Sequence, residues 1–262
     1  MFTTIKPILK LNNKTLIIAH RGESYEAPEN TLASINLAWN RGADAVEIDV
    51  HLTGDNKIAV IHDSHTNRTG DRYKKIKSET LDELKKIDVG KFKGEQWLYE
   101  KIPSLEEVFN TIPVGKEIFI EIKCGTEIIP GLQKILTHSK LNKNQIRLIS
   151  FSLETISSIK KIFPQYEVYW LRNVERRNFL FWKLNPDELI ERVLSNGLDG
   201  LDIKASKSIN QHFVEKVKNA GLKIFVWTIN NSEEAEKFLK LGVDGITTDR
   251  PFWLKQSLKI NI

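Results

Sequence analysis

AVEIDV, residues 45–50, is a short β-branched apolar run broken by two carboxylates two positions apart. On a strand, side chains i and i+2 point to the same face. Glu47 and Asp49 therefore stand side by side, while Val46, Ile48 and Val50 face the other way into an apolar layer. Anions without counter-charge are very costly to bury, so this strand needs a cation or an opening to water beside it. An exposed edge strand would tolerate the same pair, but the flanking apolar run favours a metal or catalytic site.

Outward from this strand the pattern repeats. TLIIAHRG reads as a strand from about Leu16 to His20, and the following stretch as a helix capped by Asn30 or Thr31 and stopped by Gly42. Downstream, Thr53, Gly54, Asp55 and Asn56 form a turn, and KIAVIHD returns as a short strand ending at His62. So short a link makes an antiparallel hairpin, since a parallel return needs a crossover. Residues 64–101 are polar and lysine-rich, a surface excursion with one short helix at Thr80 to Lys86. Ser104 and Glu107 have capping-box spacing.

Beyond them, strands at 117–123, 146–151, 166–171, 197–203, 223–229 and 242–249 alternate with helices beginning near Ile128, Ser152, Pro186, Ile209, Ser232 and Pro251. With the hairpin set aside, eight strand–helix units predict an α/β fold, a (β/α)8 TIM barrel with a small hairpin insertion after the second strand. A doubly wound open sheet is the alternative, but no Gly-rich phosphate loop follows the first strand. No linker or low-complexity tract interrupts residues 1–262, so a single catalytic domain is expected.

The composition is that of an ordinary globule, with 40% hydrophobic and 28% charged residues. A net charge of +5 favours anionic ligands without demanding nucleic acid. One cysteine, Cys124, excludes an internal disulfide and suits a reducing compartment. MFTTIKPILKLNNK lacks an apolar signal region, and no stretch has the length of a membrane span, so a cytoplasmic location is expected.

Barrel enzymes work at the C-terminal ends of their strands. Here those ends carry His20 and Arg21, then Glu47 and Asp49, His62 on the hairpin, and Glu121 with Lys123, again an i, i+2 pair. Three carboxylates make a hard, all-oxygen site suited to Mg²⁺ or Ca²⁺ rather than zinc. Two imidazoles, a guanidinium and an ammonium beside it complete an inventory for cleaving a phosphodiester. The cation, Arg and Lys hold anionic oxygens, one His deprotonates the nucleophile and the other protonates the leaving alkoxide.

IIAHRG, PENT, EIDVHLT, IHD, IPSLEEV, IEIK and GVDGITTDRP, in this order and spacing, resemble the glycerophosphodiester phosphodiesterase family from about Ile17 to Pro251. The resemblance implies a TIM-like barrel that hydrolyses small-molecule glycerophosphodiesters, such as glycerophosphocholine or glycerophosphoethanolamine, to sn-glycerol 3-phosphate and an alcohol with a divalent cation. It implies His20 and His62 as the acid–base pair and Glu47, Asp49 and Glu121 as metal ligands. Arg21 and Lys123 become phosphate contacts, and Trp227 a wall of the substrate site. Glu29 also matches the family.

Other residues have plainer readings. Arg21 can serve simply as an ion-pair partner holding Glu47, and Pro28 to Thr31 is first a helix start. His51 is a neighbour of the carboxylate pair, and His65, His138 and His212 are surface residues. Asp249 reads as a helix N-cap. Residues 172–183, RNVERRNFLFWK, mix cations with aromatics after the fifth strand. They are expected to fold onto the barrel rim, or else to form a lid or a transient membrane-surface contact. The competing functions are a phospholipase D-like enzyme acting on lysophospholipids and a non-catalytic module binding phosphate or membrane surfaces. The second would be favoured by a missing His or carboxylate, and none is missing.

Overall fold

Eight parallel strands close into a ring in the computed structural model, which describes residues 15–173 and 185–260. The strands are β1 (Leu16–His20), β2 (Ala45–Leu52), the short β3 (Ile58–Val60), β4 (Glu117–Ile122), β5 (Ile146–Ser150), β6 (Glu167–Arg172), β7 (Gly200–Lys204), β8 (Lys223–Trp227) and β9 (Gly245–Thr248). The main helices are α1 (Leu32–Asn40), α2 (Leu81–Leu84), α3 (Leu105–Phe109), α4 (Ile129–His138), α5 (Leu153–Ile162), α6 (Pro186–Ser195), α7 (Gln211–Asn219), α8 (Ser232–Leu241) and α9 (Pro251–Leu258). All strands but β3 are parallel, and β9 returns to β1 through Ile17 opposite Ile246, so the ring has no free edge. β3 runs antiparallel to β2, with Val50 opposite Val60, and is the hairpin expected after the second strand. The fold is the TIM barrel that the alternation predicts.

Period-two alternation sorts each strand into two cores. Val46, Ile48 and Val50 point outward and pack with Leu105, Val108 and Leu132 of the surrounding helices. Inward, Phe119, Tyr169 and Phe225 fill the barrel, with Phe119 and Phe225 edge-on at 5.1 Å and Tyr169 4.7 Å from Phe225. Gly245 leaves room for this plug, since a Cβ there would stand 2.7 Å from the Phe225 ring. At the N-terminal end Arg147 bridges Glu117 at 3.1 Å and Glu167 at 2.9 Å. The interior is thus filled from below, and the C-terminal mouth is left as the concave end.

β7 and β9 begin three residues later than the sequence suggests. The segments Gly42-Ala43-Asp44, Gly197-Leu198-Asp199 and Gly242-Val243-Asp244 are one device used three times. In each, a glycine at positive φ ends a helix. The aspartate two residues on then accepts the backbone N–H of a neighbouring strand: Ile17 at 3.1 Å, Val168 at 2.7 Å and Ile224 at 2.9 Å. These aspartates occupy the turn that feeds the strand, so the ladder starts after them.

The caps expected at Thr31, Ser104 and Ser152 are present, the first two as reciprocal capping boxes. The 64–101 excursion has a small core of its own, in which Ile76, Leu81, Leu84, Ile87 and Val89 pack against Ala59 and Ile61. Most of the 172–183 stretch, including Phe179, Phe181 and Trp182, lies outside the described residues. No helix among the described residues is long and apolar enough to cross a membrane.

Candidate active site

β2 and β4 pair in register with Asp49 opposite Glu121, which brings the three expected carboxylates together. Glu47, Asp49 and Glu121 are all buried, and one oxygen from each lies within 4.8 Å of the others. Glu47 Oε1 and Asp49 Oδ1 are buried without a hydrogen-bond partner. Buried, unsatisfied oxygens from converging carboxylates are what a hard cation needs, so the donor set fits Mg²⁺ or Ca²⁺.

The electrostatics agree. Burial pushes the Glu47 carboxyl well above its usual range, and the Asp49 and Glu121 carboxylates push it further. Burial, then Asp49, raises Glu121 to about 7. Burial also works against ionised Asp49, but the Arg21 guanidinium and Lys123 ammonium outweigh it and hold that carboxyl low. Lys123 Nζ lies 2.8 Å from Glu121 Oε1 and 3.4 Å from Asp49 Oδ1.

Arg21 leaves β1 in a left-handed turn, with φ of 57°, followed by Gly22 at 85°. Non-glycine residues pay for this conformation, and here it does local work. The turn aims the Arg21 backbone N–H at Glu47 Oε2, 3.1 Å away, while the guanidinium contacts Asp49 Oδ2 at 3.0 Å and Glu29 Oε1 at 2.8 Å. Arg21 therefore holds Glu47 through its backbone, and its side chain serves Asp49 and Glu29.

Asn30 is the second left-handed residue of this region, with φ of 58°. Its side-chain amide donates to Asp49 Oδ2 at 2.8 Å, and its carbonyl accepts from Asp49 N at 3.1 Å. The PENT segment is thus the clamp on Asp49 as well as the start of α1. Asparagine at the end of a Pro-Glu-Asn turn, tolerant of left-handed backbone, was the available signal.

The two imidazoles reach the same mouth. His20 Nδ1 is 2.6 Å from Asp249 Oδ1, and its Nε2 is 4.0 Å from Glu47 Oε2. Asp249 is not the cap expected of it: Arg250 occupies the N-cap of α9, without a side-chain hydrogen bond, and the Asp249 carboxylate instead anchors His20. His62 follows β3, with Nδ1 2.5 Å from Asp63 Oδ1. Burial depresses the His62 imidazolium, though Asp49 opposes it. Asp63 binds Arg68 Nε at 2.9 Å, and Arg68 Nη1 reaches Glu29 Oε2 at 2.7 Å. Side chains of alternating charge therefore run Asp63, Arg68, Glu29, Arg21, Asp49, with the His62 ring hydrogen-bonded at the Asp63 end. His51 Nε2 donates to the His62 carbonyl, 3.0 Å away, and so supports the hairpin. His65, expected at the surface, is half-buried.

A cavity of about 280 Å³ joins these groups. It is lined by His20, Arg21, Glu47, His62, Glu121 and Lys123 on one side and by Ile149, Phe151, Leu171, Asp202 and Trp227 on the other. Trp227 lines this cavity, its indole N–H donating to the Asp202 backbone carbonyl at 3.3 Å and Phe151 edge-on at 5.6 Å. Asp202 was absent from the sequence reading.

Residues 20–252 match the sequence model of the glycerophosphoryl diester phosphodiesterase family. A glycerophosphodiester phosphodiesterase of Caldanaerobacter subterraneus subsp. tengcongensis is 36% identical over 91% of this chain and 95% of its own length. Its namesake in Bacillus subtilis is 29% identical, covering 91% of this chain and 85% of its own. Among solved structures, a phosphodiesterase of Oleispira antarctica in complex with the product sn-glycerol-3-phosphate superposes with a TM-score of 0.81. It has 32% identity, over 93% of this chain and 96% of that one.

Proposed function

The chain belongs to the glycerophosphoryl diester phosphodiesterase family, and from that premise we propose that it hydrolyses glycerophosphodiesters such as glycerophosphocholine or glycerophosphoethanolamine to sn-glycerol 3-phosphate and an alcohol, by His20/His62 acid–base chemistry at a divalent cation. The observation that carries this reading is one cavity at the barrel mouth that gathers two imidazoles, a guanidinium, an ammonium and the Glu47 and Glu121 carboxylates, with Asp49 converging on the last two. Residues 1–262 form its single catalytic domain on this reading.

Glu47, Asp49 and Glu121 would hold Mg²⁺ or Ca²⁺, which when bound neutralises phosphoryl oxygens and makes the phosphorus more electrophilic. Lys123, with its ammonium 2.8 Å from Glu121, adds positive charge for the anionic oxygens of the diester. Arg21 keeps Asp49 ionised and in place, and its share in phosphate binding is through this charge beside the cluster. His20 is held by Asp249 at Nδ1, which leaves Nε2 toward the mouth. His62 is held by Asp63 in the same way. Each ring therefore presents one nitrogen for proton transfer, one to take the proton of the nucleophile and one to supply the leaving alkoxide. Trp227 and Phe151 wall the substrate.

The test is product analysis with glycerophosphocholine, glycerophosphoethanolamine and a lysophospholipid, with and without chelator. We expect sn-glycerol 3-phosphate from the first two, abolished by EDTA and restored by Mg²⁺ or Ca²⁺. His20→Ala and His62→Ala should each lower kcat about a hundredfold or more. Preferential turnover of the lysolipid, or full activity in metal-stripped enzyme, would overturn the reading.

A further inference from the structure

We propose that Asp202 determines specificity for the glyceryl half of the substrate, its carboxyl binding a glyceryl hydroxyl on the cavity wall opposite the Glu47–Asp49 strand. The inference rests on the function proposed above.

Asp202 is 3% exposed, and its buried Oδ1 has no hydrogen-bond partner among the described residues. A buried carboxyl without a partner is costly, and natural proteins keep such groups where a ligand satisfies them. Asp202 lines the catalytic cavity, so a ligand can reach it. β7, which carries it, lies four strands from β2 in both directions round the ring: β2–β4–β5–β6–β7 one way and β2–β1–β9–β8–β7 the other. Asp202 therefore faces the carboxylate cluster from the opposite wall.

A diester whose phosphoryl group sits among His20, His62 and Lys123 sends one arm across the barrel toward Asp202. That arm meets Ile149, Leu171 and Trp227, with the Asp202 carboxyl as the ionisable group on that wall beside the Thr228 and Thr247 side of the cavity. Carbon against an apolar wall with one hydroxyl to a buried carboxyl suits a short polyol. The glyceryl half is the one that carries hydroxyls in every glycerophosphodiester, so a fixed acceptor on this wall suits that half. Burial, and after it the Glu121 carboxylate, raise the Asp202 carboxyl to about 8, in keeping with a hydroxyl rather than an ammonium as its partner.

Asp202→Ala and Asp202→Asn are compared with the wild type on glycerophosphoethanolamine, glycerophosphoglycerol and ethyl phosphoethanolamine, which lacks both glyceryl hydroxyls. Calorimetry follows binding of sn-glycerol 3-phosphate and of ethyl phosphate. Turnover of glycerophosphoethanolamine by the wild type tests the function itself and is scored separately. The proposal expects Asp202→Ala to lose about 10- to 100-fold in kcat/KM on both glyceryl diesters and a similar factor in sn-glycerol 3-phosphate affinity. It expects no change with ethyl phosphoethanolamine or ethyl phosphate, and partial rescue by Asn, whose carbonyl still accepts a hydroxyl. Equal losses with and without glyceryl hydroxyls would overturn it in favour of a structural role. A loss confined to the ethanolamine esters would overturn it in favour of a cation site.

Discussion

His20 and Asp249 are joined, Nδ1 to Oδ1 at 2.6 Å, across the seam where β1 meets β9. Asp249 is itself held by Asn230 Nδ2 at 2.6 Å and by Ser24 Oγ at 3.3 Å. Burial works against its charge, but the hydrogen bond with His20 and the neighbouring amide and hydroxyl outweigh it and keep the carboxyl low. The last strand of the barrel thereby fixes the ring carried by the first.

Asp249→Asn should lower kcat at least about tenfold, as loss of an imidazole-orienting carboxylate does. In a His20→Ala background the same change should cost almost nothing more, because the two act as a unit. Steady-state kinetics of the four proteins decides it. Additive losses would give Asp249 a role independent of His20.

Asn30→Ala leaves all three cation-site carboxylates in place and removes both hydrogen bonds on Asp49. Cation affinity measured by calorimetry should fall about 10- to 100-fold, the usual scale for groups that orient ligands. An unchanged affinity would mean that Arg21 and Lys123 suffice to position Asp49.

Cation binding should release protons. Glu121 is raised to about 7 and Glu47 lies well above its usual range, so below neutrality both carry protons that a cation must displace. Affinity should therefore weaken as pH falls through about 7, and apparent binding enthalpy should vary with the ionisation enthalpy of the buffer. Saturating cation, at about a hundredfold over Kd, should add about 2.7 kcal/mol of stability, lost in Glu121→Gln. A melting temperature insensitive to Mg²⁺ and Ca²⁺ would remove the cation from this cluster.

Glu23 gives a pH effect away from the chemistry. It is 1% exposed, one of its oxygens lacks a partner, and Arg41 Nη1 is 3.9 Å from the other. Burial raises it to about 7 from 4.5, with Arg41 offsetting part of the rise. Below pH 4.5 the carboxyl is protonated folded or unfolded; between 4.5 and 7 the unfolded chain loses the proton first, so stability falls as pH rises through that window. The loss is of order 3 kcal/mol at about 1.4 kcal/mol per unit. Glu23→Gln should raise the melting temperature at pH 8 and leave it nearly unchanged at pH 4. The same difference at both pH values would contradict this.

What could be read in advance was local. Glu47, Asp49, Glu121 and Lys123 are legible because i, i+2 spacing on a strand fixes their face, and the barrel follows from alternation. Their partners are set by closure of the ring. Asp249 is 229 residues from His20, and nothing in its own surroundings distinguishes it from a cap before Pro251. Arg68 sits in a polar excursion whose composition suggests only solvent, yet it bonds Glu29 across 39 residues. Asp202 follows an apolar residue in a strand like many others, and only the empty space in front of its carboxyl sets it apart.

The alternating charges from Asp63, beside His62, through Arg68, Glu29 and Arg21 to Asp49 bear on how this protein can change. Loops at a barrel mouth are the parts that evolution and engineers exchange most freely. Here the excursion after β3 supplies one link of a chain that ends on the Glu47–Asp49–Glu121 cluster. A transplanted loop without an arginine at that point would leave Asp63 and Glu29 short of a counter-charge, disturbing the His62 ring and the carboxylate cluster together. Diversification of this mouth is therefore constrained to exchanges that carry the arginine with the loop, or that neutralise two links in one step.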